Sequence, residues 1–412
     1  MAEMQWLASS VGLGCLLLAL LGCGRGEATA PAGAASGVGS ALTSASASAS
    51  LSASAAGRPA PVASATGSGA GAASAGASAS GASPADDAAD WPPGVVDLHC
   101  DVPWQVRTKG RAPSLPEGDI TADKLRQGHY VGIVLVFYTP DHAHDHPKPA
   151  DLDELAATVD KIVAASDIFR LVPAPGPTAG PLLARTDGKV DAFQSIEGAE
   201  ALAGDITQID RFIARGVRLV GFVHVRDNSL ATSSGGTGHG GLTALGKQLA
   251  ERVYADGALV DVSHMSDAAF ADLVPIAKAA GAPIVATHSD ARAVCDNKRN
   301  LTDEQLKIVG DSDGVAGLNL HTKFVHRGKA KLEHAAEQVV HMVQVAGIDH
   351  VAIGTDFDGG EPVHDLKDAS RLPALADALV AHGLSKDQVR KVFHGNALRI
   401  LGWRPHGSPS GG

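Results

Sequence analysis

Histidine and acidic residues recur at the ends of apolar, β-branched runs in this sequence. Six of eight such runs have one of these residues at or near their end: His99 and Asp101, Glu197, His224, His264, His288 and Asp356. In a strand, residues i and i+2 face the same side, so His99 and Asp101 can approach one metal ion while Cys100 points away. Taken singly, each of these residues is explained equally well by a surface hydrogen bond or a helix cap. Their shared position along the runs is what indicates a site.

The number of these groups predicts a pair of ions rather than one. Three histidines and two carboxylates exceed the three protein ligands of a typical single catalytic zinc site. Two divalent ions about 3.5 to 4 Å apart, sharing one carboxylate, would use all five groups. Such a pair can hold a hydroxide at neutral pH and polarise a carbonyl group. The pattern therefore predicts a centre for metal-assisted hydrolysis.

The eight runs also predict how these side chains are brought together. They cover residues 95–99, 131–138, 190–198, 217–225, 258–264, 283–289, 314–320 and 350–359. Because the runs are continuous rather than alternating, they are typical of strands buried on both faces of a parallel sheet. Helical patterns lie between them, most clearly in residues 241–257, and Thr302 with Gln305 forms a capping box.

Eight strand–helix units in about 300 residues predict an α/β fold, a closed (β/α)8 TIM-like barrel with its site where the strands end. An open, doubly wound sheet is the alternative. No glycine-rich phosphate-binding motif follows the first strand, which argues against a nucleotide site.

The N-terminal residues predict targeting and tethering. Residues 7–22 form an apolar run of signal-peptide length that ends at Cys23, where Leu-Leu-Gly-Cys resembles a bacterial lipobox. No Lys or Arg precedes the run, so an ordinary cleaved signal with a chance cysteine is the alternative. Of the 58 residues from 28 to 85, 46 are Ala, Ser or Gly, a composition typical of a flexible linker.

These patterns predict four segments: a signal peptide over 1–23, a disordered tether over 24–90, a catalytic barrel over 91–403 and a disordered tail over 404–412. We therefore expect an exported protein, periplasmic or at the cell surface, whose membrane contact is a lipid anchor at Cys23.

Composition limits the partners. Residues 91–412 carry 32 Lys and Arg against 40 Asp and Glu, so no electrostatic feature favours nucleic acid. Two cysteines in that range, Cys100 and Cys295, are too few for a disulfide framework. The histidines at 142, 144 and 146 are interpreted as a solvated loop rather than a metal site. The sequence leaves the oligomeric state open, with a homodimer as one expectation.

In order and spacing, the motifs resemble the membrane dipeptidase (renal dipeptidase) family of zinc metallopeptidases over residues 94–402. The resemblance is carried by DLHCD, QSIEGAE, FVHVRDNS, GLTALGKQL, GALVDVSHMS, ATHSDARAVCDNKRNLTDEQL and IGTDFDG. It implies two Zn²⁺ ions, one bound by His99 and Asp101, the other by His264 and His288, with Glu197 bridging both.

The resemblance also implies roles for three residues that do not bind zinc. His224 would stabilise the carbonyl oxygen of the tetrahedral intermediate, and Asp356 would carry a proton from the nucleophilic water to the leaving amine. Arg299 would bind the C-terminal carboxylate of the substrate, a role that suits a planar guanidinium with two parallel donors. Where the family often offers a tyrosine to that carboxylate, this chain is expected to place Phe324.

The resulting hypothesis is a di-zinc dipeptidase that hydrolyses small dipeptides, including those with a C-terminal D-residue. The alternative keeps the metal centre and changes the substrate to N-acyl amino acids or lactones. A non-catalytic envelope lipoprotein is less favoured, because it predicts lost ligands and none is missing.

Overall fold

Nine parallel strands form the sheet at the centre of the protein within residues 91–140, 147–173 and 187–405, the parts that the computed structural model describes. The strands are β1 (Val95–Cys100), β2 (Tyr130–Tyr138), β3 (Phe169–Leu171), β4 (Val190–Glu197), β5 (Val217–Gly221), β6 (Leu259–Asp261), β7 (Val285–Ala286), β8 (Val315–Leu318) and β9 (Val351–Ile353).

Helices follow most of the strands and surround the sheet. They are α1 (Val102–Lys109), α2 (Ala122–Gln127), α3 (Pro149–Ala165), α4 (Ile209–Arg215), α5 (Ala244–Ala255), α6 (Asp267–Ala280), α7 (Asp303–Asp311), α8 (Thr322–Val325), α9 (Leu332–Ala346), α10 (Leu372–Ala381), α11 (Lys386–Arg390) and α12 (Asn396–Leu401). Among the described residues, no helix is both long enough and apolar enough to cross a lipid bilayer.

Eight of the strands close into a ring. β1 pairs with β2 and with β9, β2 pairs with β4, and the remaining neighbours follow in chain order from β4 to β9. Because every pairing is parallel and the first and last strands meet, the predicted (β/α)8 barrel is confirmed. The alternative of an open sheet is wrong, since it would leave β1 and β9 without this contact.

β3 lies outside the ring and was not predicted. Its residues pair with Val190–Ala192 of β4, while β5 pairs with Gln194–Glu197 of the same strand. Two strands thus share the edge of β4. Three residues carry too little periodicity for a strand to be recognised from sequence.

Several strands are shorter than the apolar runs that predict them. β7 has only two residues, and β6 and β9 have three each. The residues beyond them leave the backbone ladder, so His224, His264, His288 and Asp356 lie two or three positions past the strand ends. They remain at the C-terminal mouth of the barrel, where loops rather than strands hold them.

Local signals fix the helix ends. The predicted capping box of α7 is confirmed: the Thr302 hydroxyl accepts from the Gln305 amide, and the Gln305 side chain accepts from the Thr302 amide. In α5, Thr243 caps the first turn, and Leu249 and Val253 turn a buried face towards the barrel. These helices shield the outer side of the strands from water.

Two glycines allow the barrel wall to pack closely beside His288. A Cβ atom on Gly317 would lie 1.9 Å from the Thr287 carbonyl oxygen, and one on Gly354 would lie 1.8 Å from the same atom. Both distances are far below van der Waals contact, so neither position accepts a side chain without backbone movement. The backbone of Thr287 is therefore held in place from β8 and from the loop after β9.

Candidate metal centre

The carboxylate of Glu197 lies at the middle of a buried cluster at the mouth of the barrel. Glu197 is the last residue of β4 and is 5% exposed. Its Oε1 atom is 3.2 Å from Nε2 of His264 and 3.5 Å from Nε2 of His288, and its Oε2 atom is 3.6 Å from Nε2 of His99. One oxygen of this carboxylate thus faces two imidazoles, and the other oxygen faces a third.

His99 and Asp101 form one group of potential ligands. Nε2 of His99 is 3.5 Å from Oδ2 of Asp101, and both residues are buried. Asp101 occupies the N-cap position of α1, but its side chain makes no capping hydrogen bond. Its carboxylate instead faces the imidazole, so the helix-cap explanation of this residue does not apply.

His264 and His288 form the second group, with their Nε2 atoms 3.1 Å apart. The structure therefore brings all five predicted metal ligands into one pocket, from β1, β4 and the loops after β6 and β7.

The spacing and chemistry of these atoms fit metal ions. A tetrahedral zinc site with bonds of 2.0–2.1 Å separates its ligand atoms by about 3.3 Å. The Oε1 atom of Glu197 and the two Nε2 atoms of His264 and His288 are 3.1, 3.2 and 3.5 Å apart. In addition, Nε2 of His99 and Oε1 of Glu197 are buried without a hydrogen-bond partner. Buried polar atoms are normally paired, so these two are suited to bind cations.

The electrostatics of the cluster favour an ionised Glu197 and neutral His264 and His288. His99 differs: burial alone would lower its pKa, but Glu197 foremost, with Asp101, holds that pKa well above its usual value. Burial alone would raise the pKa of Glu197, but the facing imidazoles, His99 foremost, hold that pKa well below its usual value. Burial lowers the pKa of both His264 and His288 well below the usual range. A carboxylate anion and neutral imidazoles are the forms that bind metal ions.

His224 lies next to this cluster, in the loop after β5. Its ring centroid is 4.4 Å from that of His264, and its Nδ1 atom is 3.2 Å from the Tyr138 hydroxyl. One nitrogen of His224 also lies within 4.8 Å of ligand atoms of Glu197 and His264. These distances are compatible with contact to a substrate carbonyl and equally with metal binding.

Sequence reasoning missed Tyr138 and Trp104. Tyr138 ends β2, and its ring packs edge-on against Trp104 of α1 with centroids 5.1 Å apart. The two rings form an aromatic wall beside His224. The available signal was positional, because Tyr138 ends an apolar run just as Glu197 does.

Asp356 faces the cluster from the loop after β9. A carboxylate oxygen lies within 4.8 Å of ligand atoms of His99 and His288, and the Asn319 amide donates to its Oδ2 at 3.1 Å. Burial raises the pKa of Asp356 to about 7. A carboxyl group with a pKa near neutrality can both accept and release a proton.

Asp356 and His264 share an unusual backbone. Their φ angles are +62° and +68°, in the left-handed region that side chains other than glycine rarely adopt. Such conformations persist only where surrounding structure imposes them, and they are frequent at functional sites. Here they turn both side chains into the mouth directly after short strands.

Arg299 is buried beside the cluster. Its Nη1 donates to the Ser289 hydroxyl at 2.5 Å and its Nη2 to the His288 carbonyl at 2.7 Å, while its Nε has no partner. The centroid of the Phe324 ring is 5.7 Å from the guanidinium carbon. A phenyl ring contributes a cation–π contact there but no hydrogen bond.

Several sequence predictions fall elsewhere. Cys23, the tether and the histidines at 142, 144 and 146 lie outside the described residues. Cys100 and Cys295 are buried free thiols.

Comparison with known proteins agrees with this architecture. A profile of the membrane dipeptidase family, peptidase family M19, matches residues 93–404. A protein of Klebsiella pneumoniae, described only by its position in the pqqA 5′ region, is 36% identical over 228 residues, which cover 53% of this chain and 83% of that protein. Dipeptidase aclJ of Aspergillus oryzae is 29% identical over 221 residues, 52% of each chain.

A crystal structure shows the same relationship. The metallo peptidase of Rhodobacter sphaeroides, solved with a phosphinate mimic of the dipeptide L-Ala-D-Ala, superposes with a TM-score of 0.67. It is 26% identical to this chain, and the match covers 75% of this chain and 98% of that one.

A parallel barrel whose mouth gathers histidines around a shared carboxylate defines the class of metal-dependent hydrolases. Within that class, the chain belongs to the membrane dipeptidase family, peptidase family M19. The family resemblance seen in the sequence is thereby confirmed, and with it a metal-dependent dipeptidase.

Removal of bound metal is expected to lower the thermal stability of this protein. Without cations, the Glu197 carboxylate and the imidazoles around it lose the partners that their unpaired atoms require. A ligand present at 100 times its Kd stabilises the folded state by about 2.7 kcal/mol, so treatment with a chelator should lower Tm by several degrees. Calorimetry measures this shift.

Zn²⁺ should restore the lost stability, whereas Ca²⁺, which prefers oxygen ligands, is the control and should restore little. An identical Tm before and after chelation, with metal loss verified by elemental analysis, would contradict a metal site at this cluster.

Proposed function

We propose that this protein is a binuclear zinc peptidase that hydrolyses the peptide bond of dipeptides. The observation that carries the proposal is the position of Glu197, whose two oxygens face separate groups of potential ligands. His99 and Asp101 would hold one ion, His264 and His288 the other, and Glu197 would contact both. Imidazole and carboxylate ligands in this ratio suit zinc.

The chemistry that such ions supply when bound is an activated water nucleophile and a polarised scissile carbonyl. Residues of the protein would transfer the protons and position the substrate. The raised pKa of Asp356, about 7, allows it to accept a proton from the attacking water and to donate one to the leaving amine nitrogen. The Asn319 amide, bound to Oδ2, fixes the direction of that carboxyl group.

His224 would stabilise charge on the carbonyl oxygen of the substrate. Its Nδ1 lies 3.2 Å from the Tyr138 hydroxyl, a contact that orients the imidazole ring beside the cluster. A donor positioned in advance at a developing oxyanion typically contributes a factor of about 10² to 10³ in kcat.

Arg299 would bind the free C-terminal carboxylate of the dipeptide. Its guanidinium is fixed by Ser289 and by the His288 carbonyl, so it cannot follow a substrate of different length. A fixed distance between this cation and Glu197 favours substrates that end one residue beyond the scissile bond. The dipeptide mimic bound by the Rhodobacter sphaeroides relative supports a substrate of this size and a C-terminal D-residue.

N-acyl amino acids and lactones are the second group of candidate substrates. An N-acyl amino acid presents the same carbonyl and carboxylate as a dipeptide, and Phe324 offers no hydrogen bond to the carboxylate. Turnover of matched dipeptides and N-acyl amino acids by the zinc-loaded protein separates the two classes. Inertness on every dipeptide would rule out the first proposal.

Replacement of Asp356 by Asn is expected to lower kcat for a dipeptide by about 100-fold or more, because an amide cannot carry the proton. Steady-state kinetics with metal analysis of the same sample measures the loss and shows that the ions remain bound. Asp167→Asn is the matched control, since that side chain is 89% exposed. A variant with metal and wild-type kcat would exclude Asp356 as the proton carrier.

Replacement of Arg299 by Lys is expected to reduce the preference for a free carboxylate. Lys offers a point charge in place of two parallel donors, so kcat/KM for a dipeptide should fall by at least 10-fold. The C-terminal amide of the same dipeptide is the control, and its turnover should change little. Equal losses on acid and amide would show that Arg299 supports the site without binding the carboxylate.

We further propose that the barrel is exported and held at a membrane by lipid on Cys23, with residues 24–90 as a spacer. Replacement of Cys23 by Ser removes the acceptor thiol and should move the protein from the membrane fraction to the soluble fraction. Cys100→Ser, at a buried thiol of the barrel, is the matched control. Unchanged membrane association of the Cys23 variant would refute the anchor.

A further inference from the structure

The hydroxyl of Thr287 contacts four side chains beneath the metal centre. Its Oγ1 is 2.6 Å from Oδ2 of Asp261 and 2.7 Å from Nδ1 of His288, and it is 3.4 Å from both Nδ1 of His99 and the Ser263 hydroxyl. Thr287 is fully buried and Asp261 is 5% exposed. The two short contacts, with Asp261 and His288, are the strong hydrogen bonds of this hydroxyl.

Asp261 determines where the hydrogen of that hydroxyl points. Its Oδ1 already accepts from the backbone amides of Ser263 and Thr287, each at 2.9 Å. Its Oδ2 accepts the hydrogen of the Thr287 hydroxyl. The lone pairs of that hydroxyl are then left to accept from Nδ1 of His288.

His288 must therefore donate from Nδ1. A neutral imidazole carries one hydrogen, so a donating Nδ1 leaves Nε2 with a free lone pair. Nε2 of His288 lies 3.5 Å from Oε1 of Glu197. The Thr287 hydroxyl thus sets the metal-binding form of His288.

The backbone of Thr287 has little freedom to move away from this position. Gly317 and Gly354 pack against its carbonyl oxygen so tightly that a Cβ on either would lie within 2 Å of it. Its amide is held by Asp261 as well. The position of the Thr287 hydroxyl is therefore fixed both by the Asp261 carboxylate and by the packing around the Thr287 carbonyl group.

A second clamp of the same kind serves as an internal comparison. Asp97 accepts from both the amide and the hydroxyl of Thr355, at 2.9 and 2.6 Å, as Asp261 does from Thr287. The Thr355 hydroxyl accepts from the Phe357 amide, and no contact of it with an imidazole is found among the described residues. Asp97 also accepts from the Tyr130 hydroxyl and from the backbone amide of His99.

We propose that Asp261 and Thr287 are positioning residues that hold His288 as the Nδ1–H tautomer, so that the ion assigned to His264 and His288 would meet an unprotonated Nε2 atom. Partners of this kind behind metal-binding histidines typically change metal affinity by 10- to 100-fold. The inference rests on the metal centre of the proposed function. It is tested by measuring Zn²⁺ affinity and the histidine tautomer, not by measuring turnover.

The first test removes the hydroxyl in Thr287→Val, which keeps the shape of the side chain. Competition with a chromophoric chelator should show Zn²⁺ binding at one of the two positions weakened by 10- to 100-fold, and Thr287→Ser should restore it to within about threefold. Thr355→Val is the matched control, because it removes the same hydroxyl-to-carboxylate bond without touching an imidazole. Its Zn²⁺ affinity should stay near that of the wild type.

Equal weakening by Thr287→Val and Thr355→Val would overturn the proposal, since both clamps would then act through general packing. Wild-type affinity in Thr287→Val would overturn it as well. Denaturant unfolding of the metal-free variants shows how much each lost clamp contributes to folding itself.

A second variant reverses the hydrogen bond and keeps the volume. In Asp261→Asn, the remaining oxygen can still accept from the two backbone amides, so the new NH₂ group faces the Thr287 hydroxyl and donates to it. That hydroxyl must then donate to Nδ1 of His288, which moves the hydrogen of that imidazole to Nε2. Zn²⁺ affinity should fall by at least 10-fold at one position, and wild-type affinity at both would contradict the proposal.

Long-range ¹H–¹⁵N spectra of the metal-free wild type, labelled at histidine, read the tautomer directly. His288 should carry its hydrogen on Nδ1 in the wild type and in Thr287→Ser. A wild-type His288 with the hydrogen on Nε2 would overturn the inference whether or not the protein hydrolyses dipeptides or any variant folds.

Discussion

A carboxylate kept away from water requires positive charge or hydrogen-bond donors around it, and Glu197 imposes this requirement on the whole mouth of the barrel. The side chain is 5% exposed, yet Oε1 has no hydrogen-bond partner. Three imidazoles approach its two oxygens from β1 and from the loops after β6 and β7. An arrangement of this kind is stable when cations lie between the groups, which is why a family that works with metal can retain it.

The barrel meets this requirement by delivering one or two groups from each of several distant strands. Closure brings the ends of β1, β4, β6 and β7 to one level, although the residues they carry lie far apart in the chain. Short strands contribute to this arrangement. A backbone that leaves the hydrogen-bond ladder of the sheet early can turn its side chain into the mouth of the barrel. Buried acceptors replace the missing backbone pairs: Asp261 binds two amides where β7 has only two residues.

The sequence predicted the fold and the groups of the site because both depend on local, repeated signals. Continuous apolar runs indicate buried parallel strands, and a His or Glu after such a run is visible without coordinates. Conformation after the strands was not predictable, since the left-handed φ angles of His264 and Asp356 are imposed by distant contacts.

Tyr138 and Thr287 illustrate a second limit of prediction from the sequence. Each belongs to a residue type that is common in strands and turns, and its importance comes from one partner far along the chain. Tyr138 meets His224 across 86 positions, and Thr287 meets His99 across 188. Only the closed barrel reveals such pairs, so they could not be inferred from a single sequence without a resemblance that names them.

The contact between β1 and β9, which closes the barrel, bears on how the protein folds. Asp97 binds Thr355 at a separation of 258 positions along the chain, so the first and last strands of the ring meet only when nearly the whole catalytic chain is present. Contacts at such separation are slow to form, because a long loop must close before any of them is made. A partly synthesised chain would hold some of the His and Glu residues of the mouth without the ring that gathers them. The cluster is therefore completed only after the last strand of the ring has been added.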